Sequence, residues 1–123
     1  MKKLFVSVPM KGRTEENIRK SMAKMHGIAE VVLEQELEVI PSYIEDKPPE
    51  NSRQAIWYLG KSIQMMAEAD YFIGIEYSHY NGCNTERGIA YDYGIPLYLC
   101  PLCVVAPDAY EQELKNYCSE VCK

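Results

Sequence analysis

The sequence has no apolar run long enough to cross a lipid bilayer, and it has no excess of positive charge. A membrane-spanning helix needs about 20 consecutive apolar residues, and the runs in this chain are far shorter. The formal net charge is -5, whereas a general nucleic-acid-binding protein needs a basic face to displace phosphate counterions. We therefore expect no membrane insertion and no nucleic-acid polymer as partner. A small anionic ligand, which a few local cations can hold, is still compatible with this charge.

A secretory signal is also missing. Lys2 and Lys3 resemble the basic start of one, but the apolar run that follows is interrupted by Ser7 and ended by Pro9. We therefore expect a cytoplasmic protein, in which thiols stay reduced. The cysteine count of five is odd, and we predict no disulfides.

Four of the cysteines form two closely spaced pairs, Cys100 with Cys103 and Cys118 with Cys122. This spacing superficially resembles the two ligand pairs of a zinc site. The first pair brackets the end of a predicted strand, however, and the second lies four residues apart on a predicted helix, where small buried hydrophobic residues also fit. We favour core or helix-face cysteines and expect neither a metal nor a cofactor.

No repeat, low-complexity tract or linker interrupts the chain, and its 123 residues suit one domain covering residues 1–123. Short β-prone runs alternate with segments of helical periodicity, which predicts an α/β fold with a four- or five-stranded parallel sheet and right-handed crossovers. The predicted strands cover residues 3–8, 37–40, 71–75 and the run from 97 onwards, and the predicted helices cover about 14–34, 51–66, 84–93 and 107–121. Residues 41–52 form a long loop, either a lid or a plain surface connection.

Two of the predicted helices carry an apolar stripe. Thr14 is the expected N-cap of the first helix, and His26 lies off its stripe, facing solvent. The stripes comprise Ile18, Met22, Met25, Ala29 and Val32 in the first helix, and Ile56, Leu59, Ile63 and Met66 in the second.

The stretch from residue 70 to 96 predicts a buried strand, a loop with Asn81 and Gly82, and a helix whose first turn holds Glu86. In an open α/β sheet, ligands bind beyond the carboxyl ends of the strands, where this loop lies. The helix dipole is expected to keep a first-turn carboxylate ionised, which suits a nucleophile better than a general acid.

The loop after the first strand should meet Glu86 at the same edge of the sheet. Lys11, Arg13 and the free N–H groups of a helix start can bind phosphate or carboxylate. A carboxylate beside such a pocket suggests attack on an electrophilic sugar carbon, with a covalent glycosyl-enzyme as intermediate. The alternative from these residues alone is a structural first-turn acid paired with a lysine or arginine.

Three strings, LFVSVPMKGR, AEADYFIGIE and NGCNTERGIAYDYGIP, resemble the nucleoside 2-deoxyribosyltransferase superfamily, which also contains deoxynucleoside monophosphate N-glycosidases. The similarity covers residues 4–99, and its small phage and bacterial branch is the most similar. The resemblance implies a flavodoxin-like three-layer sandwich, with Glu86 as the nucleophile. It also implies a phosphate-binding loop formed by Pro9, Met10, Lys11, Gly12 and Arg13, and treats Asp70 as structural.

The sequence departs from the family pattern at three places. Val8 replaces a Gly before the loop proline, Ser62 replaces an Asp that assists at the base or sugar, and Tyr80 with Asn81 replaces an Asp or Ser before the nucleophile. Ser62, Tyr80, Asn81 and Gly82 are therefore predicted to bind substrate without adding a charge, and Tyr80 or Tyr58 is the candidate proton donor.

Two functions follow from the resemblance. One is cleavage or transfer at the N-glycosidic bond of a deoxynucleoside or its 5'-monophosphate. The alternative is a nucleotide-binding or sensing module that has lost turnover. Because family members commonly form oligomers, and because aromatic residues are enriched at interfaces, we expect a homo-oligomer with a small-molecule nucleoside or nucleotide as ligand.

Overall fold

The structure is a computed structural model that describes residues 1–41, 44 and 46–121. Part of the predicted loop at 41–52 lies outside these residues, and so does Cys122. The elements are β1 (Lys2–Val6), α1 (Glu15–Leu33), β2 (Leu37–Val39), α2 (Gln54–Met66), β3 (Tyr71–Ile75), α3 (Asn81–Asp92), β4 (Leu97–Cys100), α4 (Leu102–Val105) and α5 (Pro107–Val121).

The four strands form one parallel sheet in the order β2-β1-β3-β4. Successive side chains of a strand point to opposite faces, so that Leu4 and Val6 contribute to the core beneath α1, α4 and α5, whereas Phe5 contributes to the core beneath α2 and α3. Helices therefore cover both faces of the sheet, which is the flavodoxin-like three-layer arrangement that the resemblance implied.

The bounds of the central strands and of the first helix agree closely with their predictions. Thr14 caps α1 by accepting a hydrogen bond from the Asn17 backbone N–H at 3.1 Å. Asp70 has a structural role, because its carboxylate accepts a hydrogen bond from the Lys3 backbone N–H at 2.8 Å. Gly94 ends α3 with a φ of 75°, a left-handed conformation that favours glycine.

Two predictions about α1 differ from the structure. His26 faces solvent only in part: its Nε2 lies 2.9 Å from the Leu37 carbonyl oxygen, and 34% of its side chain is exposed. Val32 is exposed, and Leu33 packs against the core instead. The last turn of α1 therefore presents a different side chain to the sheet from the one that the spacing indicated.

Three further elements also differ from their predictions. On α2 only Met66 of the predicted apolar face is fully buried, and Ile56 is 64% exposed. β4 is an edge strand with an exposed Leu99, and a short helix that was not predicted, α4, follows it directly. α3 begins three residues earlier than predicted, so Asn81 and Gly82 belong to its first turn. No helix among the described residues has the length and apolar character needed to cross a membrane.

Candidate functional site

The strand order creates a crevice between the loops that follow β1 and β3. These two strands are neighbours in the centre of the sheet, while the chain continues from β1 to β2 on one side and from β3 to β4 on the other. The loops leaving them therefore diverge, which is the geometry of a topological switch point, where α/β sheets bind ligands.

Glu86 lies at this switch point with its side chain turned into the protein. The buried residues of α3 are Cys83, Glu86 and Ala90, at steps of three and four, so the carboxylate occupies the apolar stripe of the helix. Only 8% of Glu86 is exposed. Its Oε1 accepts a hydrogen bond from the Ser7 hydroxyl at 2.8 Å, and this contact joins the end of β1 to α3.

Burial raises the pKa of Glu86 to about 7, and the hydrogen bond from Ser7 partly opposes that rise. The prediction of a first-turn carboxylate kept ionised by the helix dipole is therefore wrong. Because α3 begins at Asn81, Glu86 lies in the second turn, whereas the dipole effect falls off within the first. Desolvation, which disfavours the charged form, dominates instead.

Ser7 and Cys83 complete the surroundings of the carboxylate, and neither of them was among the predicted site residues. Ser7 is buried just after β1, and its backbone N–H donates to the Ile73 carbonyl at 2.8 Å. Burial raises the pKa of the Cys83 thiol to about 12, so it stays protonated at neutral pH. A polar residue inside the apolar run LFVSV was the available signal for Ser7.

The predicted phosphate loop is a tight turn at the edge of this crevice. The Arg13 backbone N–H donates to the Met10 carbonyl at 3.1 Å, and Gly12 between them has a φ of 74°, as the third position of a type II turn requires. Lys11 and Gly12 are exposed, whereas Pro9 is buried. Lys11 is therefore the accessible cation of this loop.

Arg13 points away from solvent, and only 3% of its side chain is exposed. Its guanidinium donates to both carboxylate oxygens of Asp108 at 2.8 Å, which attaches the loop to the start of α5. The same group also donates to the carbonyl oxygens of Pro9 and Asn17 and to the Ser21 hydroxyl. Binding a phosphate through Arg13 would require these contacts to break.

Hydrogen bonding with Arg13 holds the pKa of Asp108 below its ordinary value. The ion pair therefore persists on acidification down to pH values below the usual range for an aspartate. Its geometry is bidentate, the arrangement in which arginine binds carboxylates most strongly.

Val8 does not obstruct the crevice through its side chain. It is buried in the core beneath α1 with Val6 and Met25. Val8 stands where the family that the sequence resembles usually has a glycine, so its side chain adds apolar packing on the inner side of the loop.

The loop after β3 is held by its own polar contacts and by α5. The Ser78 hydroxyl accepts from the Tyr80 backbone N–H at 3.1 Å, and the Asn84 side chain donates to the Ser78 carbonyl at 2.8 Å. The His79 backbone N–H donates to Glu113 of α5 at 2.9 Å. Both loops of the crevice are thus attached to the same helix.

The remaining predicted substrate-binding residues lie at different depths. Tyr80 is at the N-cap position of α3, partly buried, and burial raises its pKa above the ordinary value. Asn81 and Gly82 follow it and are exposed. Ser62 lies on α2, partly buried, and it makes no hydrogen bond to Glu86 within the part of the chain that the structure describes.

The cysteines are separated rather than gathered. Cys83 and Cys100 are buried free thiols, and Cys103 and Cys118 are exposed ones. Across residues 1–41, 44 and 46–121 no three His, Cys, Asp or Glu side chains come together as metal ligands.

Fold and site together define an α/β protein of flavodoxin-like architecture with a buried carboxylate at the switch point of its sheet. Comparisons with protein-family models, with curated proteins and with solved structures found no match. The function therefore has to be argued from the geometry of the site, with the resemblance noted in the sequence as its guide.

Proposed function

We propose that this protein is a member of the nucleoside 2-deoxyribosyltransferase superfamily that cleaves or transfers the N-glycosidic bond of a deoxynucleoside or its 5'-monophosphate. The observation that carries this proposal is the buried Glu86 carboxylate, hydrogen-bonded to Ser7 in the crevice between β1 and β3. Among the described residues this acid has no basic partner, and burying an unpaired acid costs folding free energy. Groups with strongly shifted pKa values also cluster at functional sites.

In the proposed reaction the ionised Glu86 attacks the anomeric carbon of the sugar. The bond from that carbon to the nucleobase breaks, and the base leaves with the electron pair and takes up a proton. Water, or a second base, then displaces the carboxylate from the glycosyl ester and returns Glu86 to its starting state. Tyr80 and Tyr58 are the candidate proton donors, and the raised pKa of Tyr80 keeps its hydroxyl protonated at neutral pH.

The exposed Lys11 is the proposed contact for a 5'-phosphate, assisted by the backbone N–H groups around Gly12. Arg13 would serve the same phosphate indirectly, by fixing the turn from beneath through its bonds to Asp108 and to the Pro9 carbonyl. Ser62, Asn81 and Gly82 stay proposed substrate-binding residues on the strength of the resemblance. No metal or cofactor is needed for the proposed chemistry.

The test is release of free base from a panel of deoxynucleosides and their 5'-monophosphates. Replacing Glu86 by alanine is expected to lower the rate on the order of 10³-fold or more, because the nucleophile is lost. For the wild type, kcat/KM should rise with pH through a midpoint near 7, as Glu86 ionises. Glu111→Ala, which removes an exposed carboxylate on α5, is the matched control. Equal rates for the wild type and Glu86→Ala would exclude the proposed reaction.

The second candidate function is a nucleotide-binding or sensing module without turnover. Ser62 favours it, because a serine on α2 cannot supply the carboxylic acid that the resembled enzymes have at this position. This alternative predicts that a nucleotide raises the melting temperature while no base is released. Base release that depends on Glu86 would exclude it.

We also propose that the protein is a cytoplasmic homo-oligomer. Ile56 on α2 and Tyr91 on α3 are strongly exposed, and together with the partly buried Trp57 they provide apolar surface on the face of the molecule formed by these two helices. Light scattering of the purified protein should therefore give a mass at least twice the 14.1 kDa of one chain. A mass of one chain at micromolar concentration would refute the oligomer.

A further inference from the structure

The hydrogen bond between Ser7 and Glu86 involves a donor that the backbone holds in place. Ser7 follows β1 directly, and its N–H extends the ladder to β3 by donating to the Ile73 carbonyl. It is only 2% exposed and lies between the buried residues Val6 and Val8. A hydroxyl on such a rigid strand end can orient its acceptor more precisely than one on a free loop.

The two oxygens of the Glu86 carboxylate have different surroundings. Oε1 accepts the bond from Ser7 at 2.8 Å, and Oε2 has no hydrogen-bond partner among the described residues. Every fully buried side-chain oxygen or nitrogen in that part of the chain has a partner, so the small exposure of Glu86 includes Oε2. One oxygen is therefore anchored to the sheet, and the other is accessible.

We propose that Ser7 is a positioning residue for the reaction at Glu86: its hydroxyl anchors Oε1 and leaves Oε2 as the attacking atom. The effect of Ser7 on the reaction rate rests on the proposed function. Its effect on the orientation and ionisation of Glu86 concerns the free protein and does not depend on that function. Anchoring one oxygen fixes the rotamer of the carboxylate, and holding a nucleophile in a near-attack geometry is a major source of rate enhancement.

The same bond has an electrostatic consequence. A hydroxyl that donates to a carboxylate favours its ionised form, so Ser7 opposes the desolvation of Glu86. The other titratable groups around this contact are Cys83 and Arg87 on α3, Tyr80 at the start of α3, and Arg13 on the first loop. The Arg87 guanidinium donates to the Ile75 carbonyl at 3.0 Å, and the Arg13 guanidinium is bound to Asp108. Within the described residues, the Ser7 hydroxyl is the one group that donates a hydrogen bond to the Glu86 carboxylate.

The first measurement follows the ionisation of Glu86 by the ¹³C signal of its side-chain carboxyl group, assigned by its loss in Glu86→Gln. In Ser7→Ala the midpoint of this titration should move upward by about one pH unit, because a hydrogen bond to the charged form is lost. Ser7→Thr, which keeps a hydroxyl on the same carbon, should restore the wild-type midpoint. An unchanged midpoint in Ser7→Ala would overturn the inference, whether or not the protein releases base.

The second measurement is the pH profile of base release. The acid limb of kcat/KM for Ser7→Ala should shift by the same amount as the titration. At pH values above both midpoints its kcat should stay at least tenfold below that of the wild type, since the carboxylate is ionised but no longer oriented. Recovery of the full wild-type kcat at high pH would overturn the positioning role. Absence of Glu86-dependent base release in the wild type would instead exclude the proposed function and leave the titration result to decide on Ser7.

Discussion

A Glu86→Gln variant is expected to be more stable than the wild type at pH 8 by about 3 kcal/mol, and about equally stable at pH 4.5. Its side chain has nearly the same shape, and its carbonyl oxygen can still accept the hydrogen bond from Ser7. The variant differs from the wild type in that it never becomes charged. It should also release no base, so stability would rise as the proposed activity disappears.

The direction of this effect follows from the raised pKa. Burial shifts Glu86 from an ordinary 4.5 to about 7, so the folded state favours the protonated acid. In the wild type the contribution of Glu86 to the free energy of unfolding is most favourable below pH 4.5, and this contribution is lost as the pH rises through about 7. A shift of about 2.5 units corresponds to about 3 kcal/mol. Urea denaturation at the two pH values measures the difference.

An exposed acid supplies the control for this experiment. Glu111 lies on the outer surface of α5, and Glu111→Gln should leave the stability nearly unchanged at both pH values. If Glu86→Gln were no more stable than the wild type at pH 8, Glu86 would not carry the cost of a buried charge, and the argument for a functional carboxylate would lose its main support.

Replacing Arg13 by alanine is expected to lower the free energy of unfolding by about 3 kcal/mol. The substitution removes a guanidinium that is almost fully buried, and the carbonyl oxygens of Pro9 and Asn17 lose the hydrogen bonds that Arg13 donates to them. Asp108, which is 35% exposed in its side chain, can regain water, so the loss should stay below that for a fully buried pair. Arg13→Lys should recover only part of it, since an ammonium group cannot reproduce the bidentate bond to Asp108.

Arg19 provides a matched control on the same side of the molecule. It pairs with Glu15 at 2.6 Å, which is closer than the 2.8 Å between Arg13 and Asp108. The side chains of Arg19 and Glu15 are, however, both 77% exposed. Exposed pairs one helical turn apart contribute only about 0.3–0.5 kcal/mol, so Arg19→Ala should change the urea midpoint very little. Equal losses for the two variants would mean that burial does not determine the strength of the Arg13 contacts.

The fold was predictable to a large extent because its parallel strands are short apolar runs separated by helices with a regular apolar stripe. β1 and β3, which lie in the centre of the sheet and are buried on both faces, were predicted within a residue or two at each end. The prediction failed at the periphery. β4 is at the edge and α2 leaves Ile56 exposed, and composition alone does not show which apolar residues stay uncovered.

The position of the candidate site was predictable, but its chemistry was not. Glu86 contacts Ser7 at the end of β1, directly before the first loop, so the acid does lie at the edge of the sheet that the motif order indicated. The partners of the Glu86 and Arg13 side chains come from distant parts of the chain: Ser7 and Glu86 are 79 positions apart, and Arg13 and Asp108 are 95 positions apart. No local pattern encodes such a pairing, so Arg13 was predicted to bind a ligand and Glu86 was predicted to be ionised.

The start of α3 was predicted three residues too late, and this shift changed the expected ionisation of Glu86. Asn81 and Gly82 have low helix propensity and suggest a loop, yet they form the first turn of the helix. Packing of Cys83 against the core outweighs that propensity. Moving the helix start by three residues placed Glu86 beyond the reach of the dipole.

The strand order also determines when the crevice can form during synthesis. The partner β2 follows β1 after a single helix, but the other neighbour of β1, β3, emerges from the ribosome only after α2. Until then one side of β1 is an unpaired edge, which is the kind of surface that promotes aggregation in nascent chains. The acid itself follows later still in the chain, on α3. Glu86 can therefore bond to Ser7 only after both strands that flank the crevice have been synthesised, and a chain that stops before α3 has neither the acid nor the helix that encloses it.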